Sequence, residues 1–409
     1  MLVYQNYHRH SHLTNVRIAD SAVTNAAYAR RAVELGHGIL SSCEHGWQGQ
    51  YNDVINLAKK NGLKPLISAE AYWVKDREEK DRSNCHIFIA AMNENGRRAL
   101  NDVLSEANLT GFYGQPRLDI PLLLSLPKDD VVVTTACIGY WRYDDIEEIT
   151  ARLHDHFGNN FFLEVQYHNT TAQIELNQRI LQLREKLGAQ LIMGCDSHYI
   201  YPDQAQARID FLASKGLTYP EEDGWFMDYP DGDTAYQRFA NQCVLSHDEI
   251  LEAINNTNVF LKVEEYDSPV LNDDIKLPSL YPNWTQEQKN EEYMRLVWQG
   301  WDAYKKTVPE ERWPEYEEEI RKEMQVVIDT YMADYFIIDY EVMKRGKELG
   351  GKLTKSGRGS GASFFTNTLL GFSDVDRISA SVHMYPERFM STARILQSKG
   401  IPDIDMNEA

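Results

Sequence analysis

The sequence predicts an α/β fold for residues 1–270, built from βα units around a parallel sheet or barrel, and a mostly helical α+β segment for residues 271–409. Three observations carry this expectation. Short β-rich runs alternate with amphipathic helical stretches up to about residue 200. A passage with several prolines and little periodicity follows, "YDSPVLNDDIKLPSLYPNWTQEQ" (266–288), and reads as an extended linker. Long amphipathic helices come after it. At 409 residues the chain also exceeds what one core ordinarily serves, so two domains are the default.

In the first region the β-rich runs are "HGILSS", "KPLISAEAYWV", "CHIFIAAM", "DVVVTTAC", "NFFLEVQYH" and "AQLIMGCDSHYI". Between them, "TNAAYARRAVELG", "QYNDVINLAKKNG" and "TAQIELNQRILQLREKLG" carry apolar residues three and four apart and stop near a glycine, as helices do. Enough units are present to close a barrel, where the chemistry sits at the strand ends. In the second region helices are expected through "EEYMRLVWQGWDAYKK", "WPEYEEEIRKEMQVVIDTYM" and "YFIIDYEVMKRGKELGG". A glycine-serine loop, "KSGRGSGAS", follows, and then "IPDIDMNEA".

Composition narrows the class without naming a function. Hydrophobic residues make up 43% and charged residues 25%, as in soluble globular proteins. No run approaches the roughly 18 apolar residues of a membrane span, and the start "MLVYQNYHRH" lacks a signal peptide's apolar stretch. A cytoplasmic chain with no membrane partner is expected. Five cysteines without paired spacing argue against a disulfide framework. A net charge of −20 speaks against non-specific nucleic-acid binding, but carboxylates that hold divalent cations contribute to the same total.

"YHRHSH" (7–12) puts three histidines into six positions. On a strand His8 and His10 project to one side while Arg9 faces the other, and His12 lies further into the loop. Other strand ends add donors: His45 in "CEHG", Glu70 in "SAEAYWV", His86 in "NCHIFIA", Cys137 in "TTACIG", and Asp196 with His198 in "GCDSHYI". Any one of these could be an unrelated buried residue; the set as a whole reads as a metal cluster. Nitrogen, oxygen and sulfur donors together suit zinc, manganese or iron and not calcium.

At these residues the chain resembles the polymerase-and-histidinol-phosphatase (PHP) domain found at the N-terminus of bacterial replicative DNA polymerase III α subunits. The matching stretches are "YHRHSH", "CEHG", "KPLISAEAYWV", "GFYGQPRLD", "TTACIG", "FFLEVQYH" and "DSHYI". The resemblance implies a (β/α)7 barrel with up to three metal ions at its strand ends. It places His8, His10, His45, Glu70, His86, Cys137, Asp196 and His198 at ligand positions, with Asp20 of "RIADSA" as a ninth ligand and Glu70 able to bridge two ions. Glu44 is expected to orient His45 from outside, and Glu164 and His168 either to pack or to touch substrate. The implied activity is a 3′–5′ exonuclease on single-stranded DNA ends. Two rivals share the barrel: a stand-alone phosphoesterase of the histidinol-phosphatase type, and a non-catalytic scaffold.

The second constellation resembles the opening of the same family's polymerase palm. Lys355, Arg358, Gly359 and Ser360 of the glycine-serine loop, with Arg388 and Arg394 of "PERFMSTAR", are implied to contact the triphosphate of a dNTP. Asp403 and Asp405, two apart on an expected strand, are implied to hold magnesium as catalytic carboxylates. Primer-template DNA, dNTPs, the remaining polymerase domains and replisome proteins are the implied partners. The family's third catalytic carboxylate is not in the sequence, so a shortened chain or split gene is expected that does not extend a primer alone.

Overall fold

The structure is a computed structural model that describes residues 2–49, 51–83, 85–266, 277–352, 359–398 and 400–404. The chain divides into two compact units, Met1–Leu271 and Asn272–Ala409.

The first unit is built on an eight-stranded sheet: β1 (Ile39–Ser42), β2 (Lys64–Trp73), β3 (Cys85–Ala91), β4 (Phe112–Tyr113), β5 (Gln115–Leu118), β6 (Val131–Thr134), β7 (Phe161–Val165) and β8 (Gln190–Met193). The order is β4-β5-β2-β3-β6-β7-β8, with β1 also paired to β2. Neighbours β1/β2, β2/β5, β6/β7 and β7/β8 are parallel. β3 departs from the expected parallel run: it is antiparallel to both β2 and β6. Composition and alternation do not report strand direction, and β2 returns to β3 without a crossover helix, so an antiparallel pair is the short route.

Both sheet faces are buried, and a period of two sorts the side chains. Ile87, Ile89, Val131, Val133, Leu163 and Leu191 face the layer of helices. Phe88, Ala90, Val132, Phe162 and Ile192 face inward, where Tyr7 and Phe260 complete a smaller core. Glu164 is two residues from Phe162 and therefore shares the inner face. The helices begin where the sequence offers caps. Thr24 accepts from the Ala27 N–H ahead of Asn25–Glu34, and Thr170 from the Gln173 N–H ahead of Thr171–Leu187, which ends at left-handed Gly188.

Among the described residues no strand pairing joins β8 to β1. The segment around Arg9 laps that side instead. Arg9 bridges Ser197 in parallel, with His10 N–H donating to Ser197 O at 2.8 Å. Buried Arg9 faces away from the histidines, as alternation requires, and donates to Asn25 Oδ1 at 2.6 Å and to the carbonyl of Ser41 in β1.

The second unit is helical in its described residues: Gln286–Tyr304, Trp313–Asp329, Ala333–Glu348, Phe365–Leu369 and Thr392–Ser398. Thr285 and Gln288 form a capping box at the first, and Pro314 opens the second. Tyr293, Trp301, Ile320, Phe336 and Phe365 pack its core. The strand expected beneath Asp403 is not present among the described residues. The 401–404 segment packs beside Gly361, where a Cβ would lie 3.9 Å from Ile404 Cα.

Candidate metal centre

The sheet gathers the predicted donors at one end. Glu70 lies in β2 and bridges His45 beyond β1. Because β3 is antiparallel, His86 near its beginning reaches the same end, opposite Tyr72. Cys137 follows β6, and Asp196 and His198 follow β8. Ala136 and Asp196 both adopt positive φ, 47° and 46°, sharp turns that aim the adjoining chain into the cleft.

Glu70 is the hub. Its Oε2 lies 3.2 Å from His10 Nε2 and 2.9 Å from His45 Nδ1. Its Oε1 lies 3.0 Å from His86 Nδ1, 3.4 Å from His8 Nε2 and 3.5 Å from Cys137 Sγ. Asp196 Oδ1 stands 3.2 Å from His10 Nε2 and 3.5 Å from His8 Nε2. Asp20 joins from the loop, its Oδ2 2.8 Å from His198 Nε2 and 3.2 Å from His45 Nε2. All nine residues expected as ligands thus converge. His12, by contrast, is exposed and reaches only the Val23 carbonyl at 3.3 Å.

The donors fit divalent cations. His8 Nε2, both nitrogens of His10, His45 Nδ1, Glu70 Oε2 and Asp196 Oδ1 are buried and make no aligned hydrogen bond among the described residues, although most of them face one another as the imidazole–carboxylate pairs above, a crowding of polar atoms that is costly in a protein interior. Three overlapping groups place one donor atom per residue within 4.8 Å: His10, His45 and His198; His45, Glu70 and His86; and His8, His10 and Cys43. Burial alone would raise the Glu70 carboxyl, yet the imidazoles of His86, His8 and His45 hold it well below the usual range. Asp20 is held down likewise, against its burial, by His198, His45 and Arg208. Burial, with Glu70 and Asp196, pushes the Cys137 thiol well up, so a cation is what would draw out its thiolate.

Outer contacts fix the ligands. Glu164 Oε1 lies 2.7 Å from His8 Nδ1, while the Tyr7 and Thr134 hydroxyls donate to its Oε2 at 2.8 and 2.7 Å. A Cβ at Gly194 would collide with this carboxylate, so glycine is required there. Glu44 accepts from Ser11 Oγ at 2.5 Å and Ser11 N–H at 3.1 Å, which places it on the loop that carries the histidines. His168 is buried, accepts from the Phe226 N–H at 3.1 Å, faces Gln166 Oε1 at 3.1 Å and stacks on Trp225 at 4.7 Å. It packs.

Two residues were not anticipated. Arg208, in the helix Ala205–Ser214, donates Nε–H to Asp20 O at 2.9 Å and pairs through Nη2 with Asp20 Oδ1. Its Nη1 donates to Glu222 Oε2 at 2.5 Å. The only sequence signal was a lone arginine within "AQARIDFLAS". Cys43 lies beside His8 and His10 and packs in the inner core with Tyr7 and Phe88.

A cleft of about 440 Å³ exposes the cluster, with Asp20, His45, Glu70, His86, Cys137 and Asp196 among its walls. Tyr72, Trp225 and Met227 also line it.

The second constellation is only partly assembled. Lys355, Arg358 and Asp405 lie outside the described residues. Gly359 has φ 70°, and Ser360 leads into the turn Gly361–Ser363, which lies beside the Asp403 backbone. Asp403 and Arg388 are exposed. Arg394 Nη1 donates to the carbonyls of Arg388 at 2.9 Å and Phe389 at 3.4 Å, which ties it to the turn that carries Arg388. The sequence stretch "ERFMSTAR" closes on itself once Arg388 ends one turn and Arg394 sits in the next helix.

Comparison with known proteins agrees with this geometry. Residues 6–168 match the family model described as PHP domain, and residues 291–408 the one described as bacterial DNA polymerase III alpha NTPase domain. The DNA polymerase III subunit alpha of Helicobacter pylori (strain ATCC 700392 / 26695) is 26% identical over 450 residues, covering 97% of this chain and 35% of the relative. That of Aquifex aeolicus is 25% identical over 432 residues, covering 98% of this chain and 36% of the relative. Among solved structures, an amidohydrolase from Chromobacterium violaceum matches with a TM-score of 0.31 at 15% identity, over 48% of this chain and 88% of its own. The chain spans about a third of the length of the curated relatives it matches. With a match to a PHP domain followed by a match to a polymerase III alpha NTPase domain, and with relatives that take in almost its whole length, the chain is similar to the first third of bacterial DNA polymerase III alpha subunits.

Proposed function

We propose that residues 1–270 form a metal-dependent phosphoesterase domain that trims single-stranded DNA from its 3′ end, and that residues 271–409 form the first part of a polymerase palm. The observation that carries the first half is the set of buried nitrogen and oxygen atoms on His8, His10, His45, Glu70 and Asp196 that crowd together without aligned hydrogen bonds. Crowding so many polar atoms together for shape alone would be expensive.

His8, His10, Asp20, His45, Glu70, His86, Cys137, Asp196 and His198 would hold up to three zinc, manganese or iron ions. Such cations supply Lewis acidity toward phosphoryl oxygens and a source of nucleophile at neutral pH. The protein's part is placement. Glu164 takes the Nδ1 proton of His8 and frees Nε2 for the cleft. The Asp196 carbonyl, 2.8 Å from His198 Nδ1, frees that residue's Nε2 in the same way. Arg208 occupies Asp20 Oδ1 and leaves Oδ2 facing His45 and His198. Glu70 presents both oxygens, so it can bridge. Tyr72, Trp225 and Met227 limit water around the scissile ester.

In the palm segment, Asp403 and Asp405 would hold magnesium, and Lys355, Arg358, Gly359, Ser360 and Arg388 would meet the triphosphate of a dNTP. Arg394 would support Arg388 through its turn. Primer-template DNA and replisome proteins in the cytoplasm are the partners of this reading. Among the described residues no helix is long and apolar enough to cross a membrane.

The test is a labelled single strand incubated with the manganese-loaded protein. Loss of nucleotides from the 3′ end is expected, abolished by His10→Ala and by Asp196→Ala. Digestion at the parent's rate by both variants would assign the activity to a contaminant.

A further inference from the structure

A second cavity of about 400 Å³ opens beside the metal cleft. Tyr219, Glu222, Trp225 and Met227 line both, so the two cavities are immediate neighbours with a shared wall. Arg208 joins them as well: it lines the second cavity, pairs with Asp20 on the metal side and with Glu222 on the shared wall.

The two cavities differ in chemistry. The first is ringed by imidazole, carboxylate and thiol. The second has Ile209, Leu212 and Ala213 of one helix on one side and Leu217, Tyr219 and Trp225 on the other. Ile209 is 55% exposed and offers its aliphatic surface at the rim. Trp225 is not free to turn away, because one face stacks on buried His168 with 10° between the ring planes. Arg208 is engaged by Glu222 and by Asp20, and the polar groups that remain on the walls, Thr218, Asp223 and the hydroxyls of Tyr199 and Tyr219, sit among a larger aliphatic and aromatic surface. A flat heteroaromatic ring asks for what these walls offer: aromatic and aliphatic surface at an edge of the phosphate site.

We infer that the second cavity seats the nucleobase of the 3′-terminal nucleotide while its phosphodiester lies at the metal cluster. The inference rests on the nuclease reading above and adds where the base goes. Stacking on such walls serves every base, so the seat selects for the presence of a base and not for its identity.

The test is calorimetric binding to the manganese-loaded chain of three phosphates: dAMP, 2-deoxyribose 5-phosphate, which lacks the base, and L-histidinol phosphate. dAMP is expected to bind about tenfold or more tightly than deoxyribose 5-phosphate. That ratio should fall toward one in Ala213→Trp, which fills the cavity, and in Tyr219→Ala, which removes a wall. Equal affinities in the parent overturn the inference, as does a ratio unchanged in both variants. Histidinol phosphate binding as tightly as dAMP overturns it too, by showing a seat for any ring. If manganese binds but none of the phosphates does, the phosphoesterase reading itself fails and the base seat falls with it.

Discussion

His8 and Glu164 meet through Nδ1 and Oε1 at 2.7 Å, and this contact turns the other ring nitrogen of His8 toward Glu70 and Asp196. Glu164 lies in β7 and contacts the cluster through His8. Removing its acceptor should leave the fold intact and loosen the ligand. Glu164→Gln is expected to weaken manganese binding about tenfold and Glu164→Leu about a hundredfold, the range for outer contacts of metal-bound histidine. Calorimetry with circular dichroism as a fold control checks it.

Arg208 and Asp20 form the corresponding pair on the opposite wall. Arg208→Gln is expected to weaken the ion nearest His45 and His198 by about 10- to 100-fold while the others stay bound. Glu222→Gln should shift binding in the same direction by less, since Arg208 keeps its contacts to the Asp20 carbonyl and carboxylate. Counting ions by elemental analysis after dialysis reads the difference. Unchanged occupancy in Arg208→Gln would reduce the arginine to charge balance.

His37 gives a pH dependence away from the metal cluster. It is buried, with Tyr229 Oη 2.7 Å from its Nδ1, and burial together with the Arg31 charge lowers its pKa to about 4. The unfolded chain takes up that proton near 6.5 and the folded one does not. Stability from this group is therefore complete above pH 6.5 and is lost as pH falls toward 4, by about 3 kcal/mol at most. Urea titrations at pH 7 and 4.5 should show a smaller acid loss for His37→Gln than for the parent.

Glu323 and Arg377 anchor the second unit. Buried Glu323 accepts from the N–H groups of Phe365 and Thr366 at 2.9 and 2.7 Å and from Arg377 Nε at 2.7 Å. Glu323→Ala leaves Arg377 Nε and two backbone donors without their acceptor, with Glu319 still holding Arg377 Nη2 at 2.9 Å, and is expected to cost about 3 kcal/mol. Glu323→Leu combined with Arg377→Met should recover part of it. Hydrogen exchange over Trp313–Asp329 and Phe365–Leu369 isolates this unit from the other.

Much of the cluster was legible because its ligands lie at strand ends, where sequence position and spatial position coincide. His8 and His10 are two apart on one extended segment, which alternation aims together, whereas Asp196 and His198 are brought together just past β8 by the turn at Asp196, whose φ is 46°. Arg208 was not legible: it reaches Asp20 across 188 residues, and nothing in a helix's periodicity reports what its one arginine touches. The direction of β3 was hidden for a different reason, since a buried strand reads the same both ways. Arg394 was legible as a guanidinium of a motif, but its hydrogen bonds to the carbonyls of Arg388 and Phe389 depend on a turn that spacing does not encode.

The reversal of β3 leaves a practical opening. Trp73 and Cys85 pair directly across the antiparallel ladder, so the connection leaving one and returning to the other is clamped at both feet beside the cluster. Buried Arg117 grips the carbonyls of Arg77, Glu79 and Asp81 within that connection, so a substitution at this one arginine is the direct way to loosen the span and read what it does for Glu70 and His86.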